Sequence, residues 1–265
     1  MRAIYRTKLS TLNWAGLVAG CLLAGVCFSR AGDDAFTNSL AQGELAAARA
    51  DLPAAVEIYA RAEHAESTNA VNLCALSRRY CDLAYLEKSP AAKKDMVDRA
   101  LACALAAVKA GPTNSTAHAC VAVCYAKECG FADIKDELND SRLFKLEAER
   151  AIALDPKQDI AYYLLGRWNY GMANVGMFSR AFVQVVYGGL PKASNQDAIA
   201  DFKQAIALAP DRIINHAGLA MVYEAVGDKR AEIAELEKCR ALKPTGLEDQ
   251  DAQRDALRTL AGLEK

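Results

Sequence analysis

The residues best suited to chemistry are a histidine and three cysteines close together in one predicted helix. His118 is followed by Cys120, Cys124 and Cys129, and imidazole and thiolate groups are common ligands of zinc. A zinc knuckle needs two closely spaced cysteine pairs separated by turns, and this spacing does not provide them. Cys120 and Cys124 lie one helical turn apart, as two small side chains packed into a core would. We therefore expect no metal site and no bound cofactor.

The other titratable residues form no recognisable catalytic motif. The histidines of the chain are His64, His118 and His216, and none of them lies in a nucleophile or zinc-binding pattern. The isolated Gly188-Gly189 pair is better explained as a turn than as a phosphate loop. The acidic residues recur at the spacing of solvent-exposed helix faces rather than in pairs suited to acid–base catalysis. The sequence predicts a protein that is not an enzyme.

One set of side chains is suited to holding a partner protein. Tyr163, Arg167 and Tyr170 recur at helical spacing, so they share one face of a helix. Tyrosine and arginine concentrate binding energy at protein interfaces, and arginine can grip a carboxylate with two parallel hydrogen bonds. We expect these residues to bind a peptide or a helix of a partner. The alternative is that the tyrosines and the arginine pack on the helix of the insertion that follows them and stabilise the array.

Helical repeats are the elements that position these residues. Four segments end alike, with small apolar residues leading to Pro112, Pro156, Pro210 or Pro244, and proline cannot continue a helix. The prolines are 44, 54 and 34 residues apart. The last spacing equals the period of the tetratricopeptide repeat (TPR), and the longer ones indicate insertions. Gly227 falls at a turn between two helices, where its freedom to adopt a positive φ is useful.

The repeats predict an all-α fold: a TPR-type right-handed superhelical array of antiparallel helix pairs with insertions, about 11 to 12 helices in all. No strand pattern competes, and no linker divides the array into two domains. The repeat domain is predicted over residues 32–265, with a C-terminal capping helix at 248–263. The predicted helices are 36–49, 53–66, 69–87, 91–110, 114–130, 133–153, 158–173, 177–187, 195–208, 212–226, 229–241 and 248–263.

The first helix of each TPR pair lines a concave groove, which adds residues to the predicted binding site. In the repeat before Tyr163 these residues include His118 and Tyr125, and in the last repeat they include Met221 and Glu224. We expect the groove to hold an extended peptide or a partner helix.

The longest insertion, residues 175–191, is unusually apolar. It contains Met177, Phe178, Phe182, Val183 and Val185. Such a segment can contact a membrane or a partner, but it lacks the basic face of a membrane-surface helix. Burial against neighbouring helices is the better explanation.

The N-terminus has the layout of a secretory signal peptide, with residues 1–31 as the leader. Arg2, Arg6 and Lys8 precede an apolar run at residues 12–28, and small residues precede a cut after Ala31. Two alternatives stay open: the run is retained as a membrane anchor, or Cys21 is lipidated. The sequence thus predicts an extracytoplasmic protein, periplasmic or secreted, or one anchored through residues 12–28. Contact with a membrane is expected only through this segment.

The net charge of the chain indicates which class of macromolecule it can bind. The chain has 32 Lys and Arg against 33 Asp and Glu, a net charge of −1, whereas nucleic-acid binding needs a clustered positive surplus. We therefore expect a protein partner and no nucleic acid. In an oxidising compartment, cysteines on neighbouring helices could pair, for example Cys81 with Cys103.

Several motifs resemble the regulator of microtubule dynamics family. The likeness covers about residues 70–245 and is most specific at Leu164-Leu165-Gly166-Arg167-Trp168, which Tyr170 and an insertion follow. Arg78 matches an arginine of the family's early motif, although Cys74 stands where the family has tryptophan. Further matching residues are Ile134-Lys135, Glu147, Ala151-Ile152-Ala153-Leu154-Asp155-Pro156, Arg180, Pro191, Ala198 and Phe202.

The resemblance implies a TPR protein, anchored in some members by an N-terminal hydrophobic segment, and a link to microtubules. We expect the fold to carry over but not the partner. Without residues 1–31, which hold four of the basic residues and no acidic one, the chain is net acidic, as microtubule surfaces are, and an exported protein would not meet tubulin. Fold alone does not determine function. The expected function is an exported, non-enzymatic scaffold that binds a protein in the TPR groove. The alternative is a membrane-anchored tether or adaptor of the regulator of microtubule dynamics type.

Overall fold

Helices dominate the architecture. A computed structural model of the protein describes residues 31–65, 68–131, 134–187 and 189–263. These residues form twelve α-helices and no strand, which confirms the predicted all-α fold. The helices are α1 (Ala31–Ala48), α2 (Leu52–Ala65), α3 (Ala70–Leu86), α4 (Pro90–Ala110), α5 (Ser115–Glu128), α6 (Ile134–Leu154), α7 (Asp159–Ala173), α8 (Met177–Tyr187), α9 (Asn195–Leu208), α10 (Ile213–Val226), α11 (Lys229–Ala241) and α12 (Leu247–Leu263).

The helices pack in five pairs: α1 with α2, α3 with α4, α5 with α6, α7 with α9, and α10 with α11. Helix α8 is inserted within the fourth pair, which explains the long spacing between Pro156 and Pro210. The first helices α3, α5, α7 and α10 also contact one another in sequence. They form one continuous layer, as the inner layer of a TPR array does.

Local signals explain where several helices begin and end. Asn69 and Asn114 precede α3 and α5, and their side chains accept hydrogen bonds from backbone N–H groups of the first turn, as good N-cap residues do. Gly227 ends α10 with φ of 77°, which confirms the predicted turn. Asp228 then caps α11 by accepting a hydrogen bond from the Ala231 N–H, 3.0 Å away.

Close packing around Phe202 joins the fourth and fifth pairs. This side chain of α9 is fully buried and faces Gly166 of α7 and Gly218 of α10. A Cβ added at Gly218 would lie 2.3 Å from Phe202 Cε1, and one at Gly166 would lie 3.0 Å from the ring. The Tyr163 ring meets the Phe202 ring edge-on, with centroids 5.8 Å apart. The two glycines thus let three helices approach one aromatic ring.

Trp168 joins α7 to α6. Its side chain is fully buried, and its indole N–H donates to the backbone carbonyl and the hydroxyl of Ser141, both 3.0 Å away. The Lys145 ammonium lies 4.5 Å from the centre of the indole ring, close enough for a cation–π contact. A buried indole needs such an acceptor, so Ser141 explains how the tryptophan fits the core.

The apolar insertion forms α8 and is buried on one side only. Val183 is fully buried in the core, whereas Met177 and Val185 are 77% and 86% exposed. The Arg180 guanidinium donates to the carbonyl of Met172, 2.9 Å away, and so satisfies a backbone group at the end of α7. Burial, the favoured explanation for the insertion, therefore holds for Val183 but not for the face that carries Met177 and Val185.

The predicted leader, the anchor alternative at residues 12–28 and the lipidation alternative at Cys21 lie outside the described residues, which begin at Ala31. Within the described part of the chain, none of the helices combines the length and the apolar character that crossing a membrane requires.

Candidate partner-binding groove

Equivalent groove positions in successive repeats are found by counting residues from the N-cap of the first helix of each pair. The residues Asn69, Asn114, Gln158 and Arg212 precede α3, α5, α7 and α10. Nine positions after them stand Arg78, Val123, Arg167 and Met221. These four residues are equivalent by register, and two of them are arginine.

A cavity opens along this layer. Its volume is about 660 Å³, including the open solvent at its mouth. Helices α3 and α5 form two walls, the start of α7 forms a third, and the first turn of α12 closes the cavity. The lining residues are Ser77, Arg78, Cys81, Asp82, Thr116, Ala119, Cys120, Val123, Lys127, Gln158, Asp159, Ile160 and Glu248.

Two of the carboxylates that line the cavity are each paired with an arginine. Asp159 lies 2.9 Å from the Arg212 guanidinium, and Asp82 lies 3.2 Å from that of Arg79. Arg79 also contacts Glu44 of α1 at 2.6 Å. Arg212 thus compensates Asp159, whereas Arg79 is shared between Asp82 and Glu44. Arg78 and Lys127 add two basic side chains to the lining.

Glu248, which closes the cavity from α12, is only 8% exposed. Burial, together with the negative charge of Asp82, raises the pKa of its carboxyl to about 7. Lys127, Arg167 and Arg212 oppose this shift because they stabilise the ionised form. The charges of three cations, one each from α5, α7 and the start of α10, thus act on one buried carboxyl of the last helix.

The structure brings Tyr163 and Arg167 together beside this site. The Arg167 guanidinium donates to the Tyr163 hydroxyl, 3.3 Å away, and both side chains are buried. Tyr163 packs edge-on against Phe202 of α9. Tyr170 is also buried. None of the three is among the residues that line the cavity, and their burial leaves little surface for direct contact with a partner.

The other predicted groove residues are more scattered. His118 points toward α6, with Nδ1 2.6 Å from Glu147 Oε2, and does not line the cavity. Tyr125 and Met221 are half-buried against the core, and Glu224 is exposed.

The residues of α5 that do line the cavity stand elsewhere on the helix. Counted from the Asn114 N-cap, the groove positions of α5 are Thr116, Ala119, Val123 and Lys127. The prediction assigned each of these positions to the residue two places later in the sequence. Lys127 was therefore missed, although the Asn114 cap signal could have located it.

The cysteines lie deep in the same region. The seven cysteines of the described residues are buried thiols, Cys81 and Cys103 included. Within the part of the chain that the structure describes, no three His, Cys, Asp or Glu residues lie together as a metal site requires. Cys120 lies beside Cys74 and Arg78; a hydrogen bond from the Cys74 thiol and the arginine's charge lower the pKa of Cys120, although burial opposes them.

The fold and this inner layer define a TPR-type helical-repeat protein. A thermophilic TPR protein from Thermus thermophilus superposes with a TM-score of 0.58 and 19% identity, over 84% of this chain and 99% of that one. The chain belongs to one family in particular: a family model described as regulator of microtubule dynamics protein 1-3 matches residues 39–264.

Curated relatives agree with this assignment. Regulator of microtubule dynamics protein 1 of Mus musculus is 28% identical over 203 residues, which are 76% of this chain and 67% of the relative. Regulator of microtubule dynamics protein 3 of Xenopus laevis is 30% identical over 135 residues, 51% of this chain and 29% of the relative. The chain thus spans under a third of the second relative's length. The family resemblance found in the sequence is confirmed.

The predicted extracytoplasmic location, periplasmic or secreted, is wrong. The curated relatives are animal proteins named for microtubule dynamics, and microtubules assemble inside the cell. A basic start followed by an apolar run is a local pattern, and such a pattern does not determine where the folded protein resides.

Proposed function

We propose that the protein is a non-enzymatic scaffold that binds a segment of a partner protein in the groove between its first helices. The observation that carries this proposal is the cavity between α3, α5 and α7. A concave site of this size, assembled from equivalent positions of successive repeats, suits an extended chain or a helix.

The chemistry of the walls supports a peptide ligand. Ala119 and Val123 provide an apolar floor, while Thr116 and Gln158 place hydrogen-bonding groups at one side. The Gln158 amide donates to the Thr116 hydroxyl, 3.4 Å away, so these groups are held in place before a partner arrives. Such a combination of apolar area and a few placed polar groups is typical of binding sites.

Filling the cavity tests this proposal. We expect Val123→Trp to abolish capture of the partner, because the indole would occupy the space that the partner segment needs. The matched control is Leu146→Trp, which places the same side chain on the exposed surface of α6. Each variant is immobilised, and the bound proteins are identified by mass spectrometry. Circular dichroism verifies that each variant is folded. A folded Val123→Trp protein that captures the same proteins as the native chain would refute groove binding.

We infer a narrower candidate from the family: the partner belongs to the microtubule system. The names of the curated relatives suggest this role, and the argument from export no longer opposes it. The basic side chains Arg78 and Lys127 on the cavity wall suit an acidic surface even though the whole chain is nearly neutral. Co-sedimentation with stabilised microtubules tests this candidate. We expect the native chain in the pellet and the Lys127→Glu variant in the supernatant; equal sedimentation of both would contradict it.

A further inference from the structure

Four cysteines lie where α3 packs against α5. Cys74 and Cys81 stand on α3, and Cys120 and Cys124 stand on α5. All four are buried free thiols. Cys120 Sγ lies 4.0 Å from the carbonyl oxygen of Cys74, and the thiols of these two residues share a hydrogen bond. Cys74 and Cys120 are thus adjacent across the boundary between two repeats, although they are 46 residues apart in the chain.

The two thiols of this pair differ in access. Both side chains are buried against the core, but Cys120 lines the cavity and Cys74 does not. A small solute that enters the cavity therefore meets the sulfur of Cys120, whereas the sulfur of Cys74 is covered.

The charge that acts on the two thiols differs as well. Arg78 stands one helical turn after Cys74 and lines the cavity together with Cys120. The hydrogen bond from Cys74, and then the charge of Arg78, lower the pKa of the Cys120 thiol, although burial opposes them. The hydrogen bond with Cys120, together with burial, raises the pKa of Cys74. Cys120 is therefore the nucleophile of the pair, because the thiolate is the reactive form, and Cys74 keeps its proton.

The other two cysteines are differently placed. Cys124 shares a hydrogen bond with Cys81, and this bond and burial raise the pKa of Cys124. The Cys124 sulfur lies 3.6 Å from the Ser77 hydroxyl and does not line the cavity. Since a neutral thiol is a poor nucleophile, Cys81 and Cys124 provide an internal comparison for the first pair.

We propose that Cys120, Cys74 and Arg78 form a reversible redox site on the cavity wall, at which a hydroperoxide oxidises Cys120 and Cys74 then closes a disulfide between α3 and α5. Arg78 stabilises the reacting sulfur of Cys120. The site goes beyond the proposed scaffold function, because its chemistry requires a small oxidant and no partner protein. The bond joins two walls of the cavity, so oxidation changes the surface that faces a partner.

Oxidation takes two steps. In the first, the Cys120 thiolate attacks the terminal oxygen of the hydroperoxide. The S–O bond forms, the O–O bond breaks, and the departing oxygen anion takes a proton from water. In the second, Cys74 gives up its thiol proton and its sulfur attacks the sulfur of the Cys120 sulfenic acid. The S–S bond forms, the S–O bond breaks, and the hydroxide leaves with that proton as water.

The two sulfur atoms together lose two electrons, which the hydroperoxide gains. A dithiol reverses the change by two successive exchange steps and is itself oxidised to a disulfide.

The test uses the reduced full chain, with hydrogen peroxide as the probe. After a short exposure, the remaining thiols are blocked with iodoacetamide, and the unreduced tryptic digest is analysed by mass spectrometry. We expect the first linked product to join residues 62–78 to residues 110–127, with fragment ions that place the bond between Cys74 and Cys120. Dithiothreitol should remove this link. The absence of the link, or an earlier link between Cys81 and Cys124, would overturn the site.

Variants of the two cysteines test the order of the steps. In Cys74→Ala the sulfenic acid has no thiol to close on, so dimedone, which reacts with sulfenic acids, should label Cys120. In Cys120→Ala, dimedone should not label Cys74. Cys124→Ala removes the other thiol of α5 and is the matched control, in which the link should form as in the native chain. Circular dichroism verifies that each variant is folded. Labelling of Cys74 in Cys120→Ala, or none of Cys120 in Cys74→Ala, would contradict the proposed order.

Substitution of Arg78 tests its part in the site. Arg78→Gln should slow formation of the link about fivefold, because the thiolate loses its positive neighbour. Arg78→Lys keeps the charge and should retain most of the rate. Arg61→Gln, on the exposed surface of α2, is the control and should leave the rate unchanged. Equal rates for the native chain and Arg78→Gln would overturn the role assigned to Arg78.

Discussion

His216 and His118 make the same pair of hydrogen bonds in two different repeats. Nδ1 lies 2.7 Å from Glu235 Oε2 in one and 2.6 Å from Glu147 Oε2 in the other. Nε2 lies 2.8 Å from the carbonyl of Pro210 in the first and 2.9 Å from that of Pro112 in the second. Each imidazole thus links the first helix of its pair to the second helix, and also to the turn that precedes the first helix.

At His216 this arrangement favours the doubly protonated ring. A carbonyl only accepts, so Nε2 must carry a proton, and Nδ1 needs a second proton to donate to an ionised glutamate. For His216, burial alone would lower the pKa, and Lys238 lowers it too. The hydrogen bonds to Glu235 and to the Pro210 carbonyl outweigh them and raise it.

The first prediction concerns the pH dependence of this contact. A histidine whose pKa is raised on folding stabilises the protein fully below its unfolded pKa of about 6.5, and the stabilisation fades as the pH rises through the folded value. We expect His216→Gln to reduce the free energy of unfolding by about 1 kcal/mol more at pH 5.5 than at pH 8.5. Urea unfolding at both pH values measures this difference. His64→Gln, on the exposed side of α2, is the control. An equal loss at both pH values would contradict the charged contact.

The second prediction concerns the glycines around Phe202. Gly218→Ala would place a methyl group 2.3 Å from the Phe202 ring, and overpacking of this kind costs about 1 to 3 kcal/mol. Gly166→Ala, at 3.0 Å, should cost less. Gly262→Ala meets open space and should leave stability unchanged or raise it slightly, since alanine favours helix. Thermal unfolding of the three variants checks the order, and a neutral Gly218→Ala would show that the close approach is not required.

The third prediction concerns Glu248. A carboxyl whose pKa is raised on folding contributes most below its unfolded value of about 4.3, and its contribution is lost as the pH rises through the folded value. The folded pKa is about 7, set by burial against Lys127, Arg167 and Arg212, with Asp82 adding to the shift. The native chain should therefore lose about 2 kcal/mol of its free energy of unfolding between pH 5.5 and pH 8. The Glu248→Gln variant should not, because glutamine does not ionise.

The melting temperatures of the native chain and of this variant at the two pH values test that expectation. Asp136→Asn is a suitable control, because Asp136 is an exposed acidic residue of α6. Parallel pH profiles for the native chain and Glu248→Gln would contradict the buried, ionisable carboxyl.

The fourth prediction concerns the thiol of Cys120. This side chain lines the cavity, and the neighbouring Cys74 and Arg78 lower its pKa. Because the thiolate is the reactive form, iodoacetamide at pH 7 should modify Cys120 before Cys239, whose pKa burial raises to about 12. Arg78→Gln should slow the modification severalfold. Peptide mapping by mass spectrometry identifies the labelled site, and faster labelling of Cys239 would refute this order.

Much of the array could be read from local signals. Each helix depends on short-range periodicity and on residues such as Asn69, Gly227 and the repeated prolines, which act within one or two turns. For this reason the predicted helices match all twelve observed ones within the described residues. Their ends differ by at most two residues, except that α1 begins at Ala31, five residues before the predicted start. In α5 the register was displaced by two residues, and Lys127 was missed as a result.

The sequence by itself determined the helices, their pairing into TPR repeats and the family, because all three are encoded in periodic local patterns. Only the tertiary structure decided what faces the groove. Tyr85 and Asp251 are 166 residues apart in the chain, yet their side chains form a hydrogen bond. The charges of Lys127 and Arg167 likewise reach Glu248 only in the folded protein. Side-chain burial, and the pKa of Glu248 with it, depends on such long-range contacts, which no local pattern specifies.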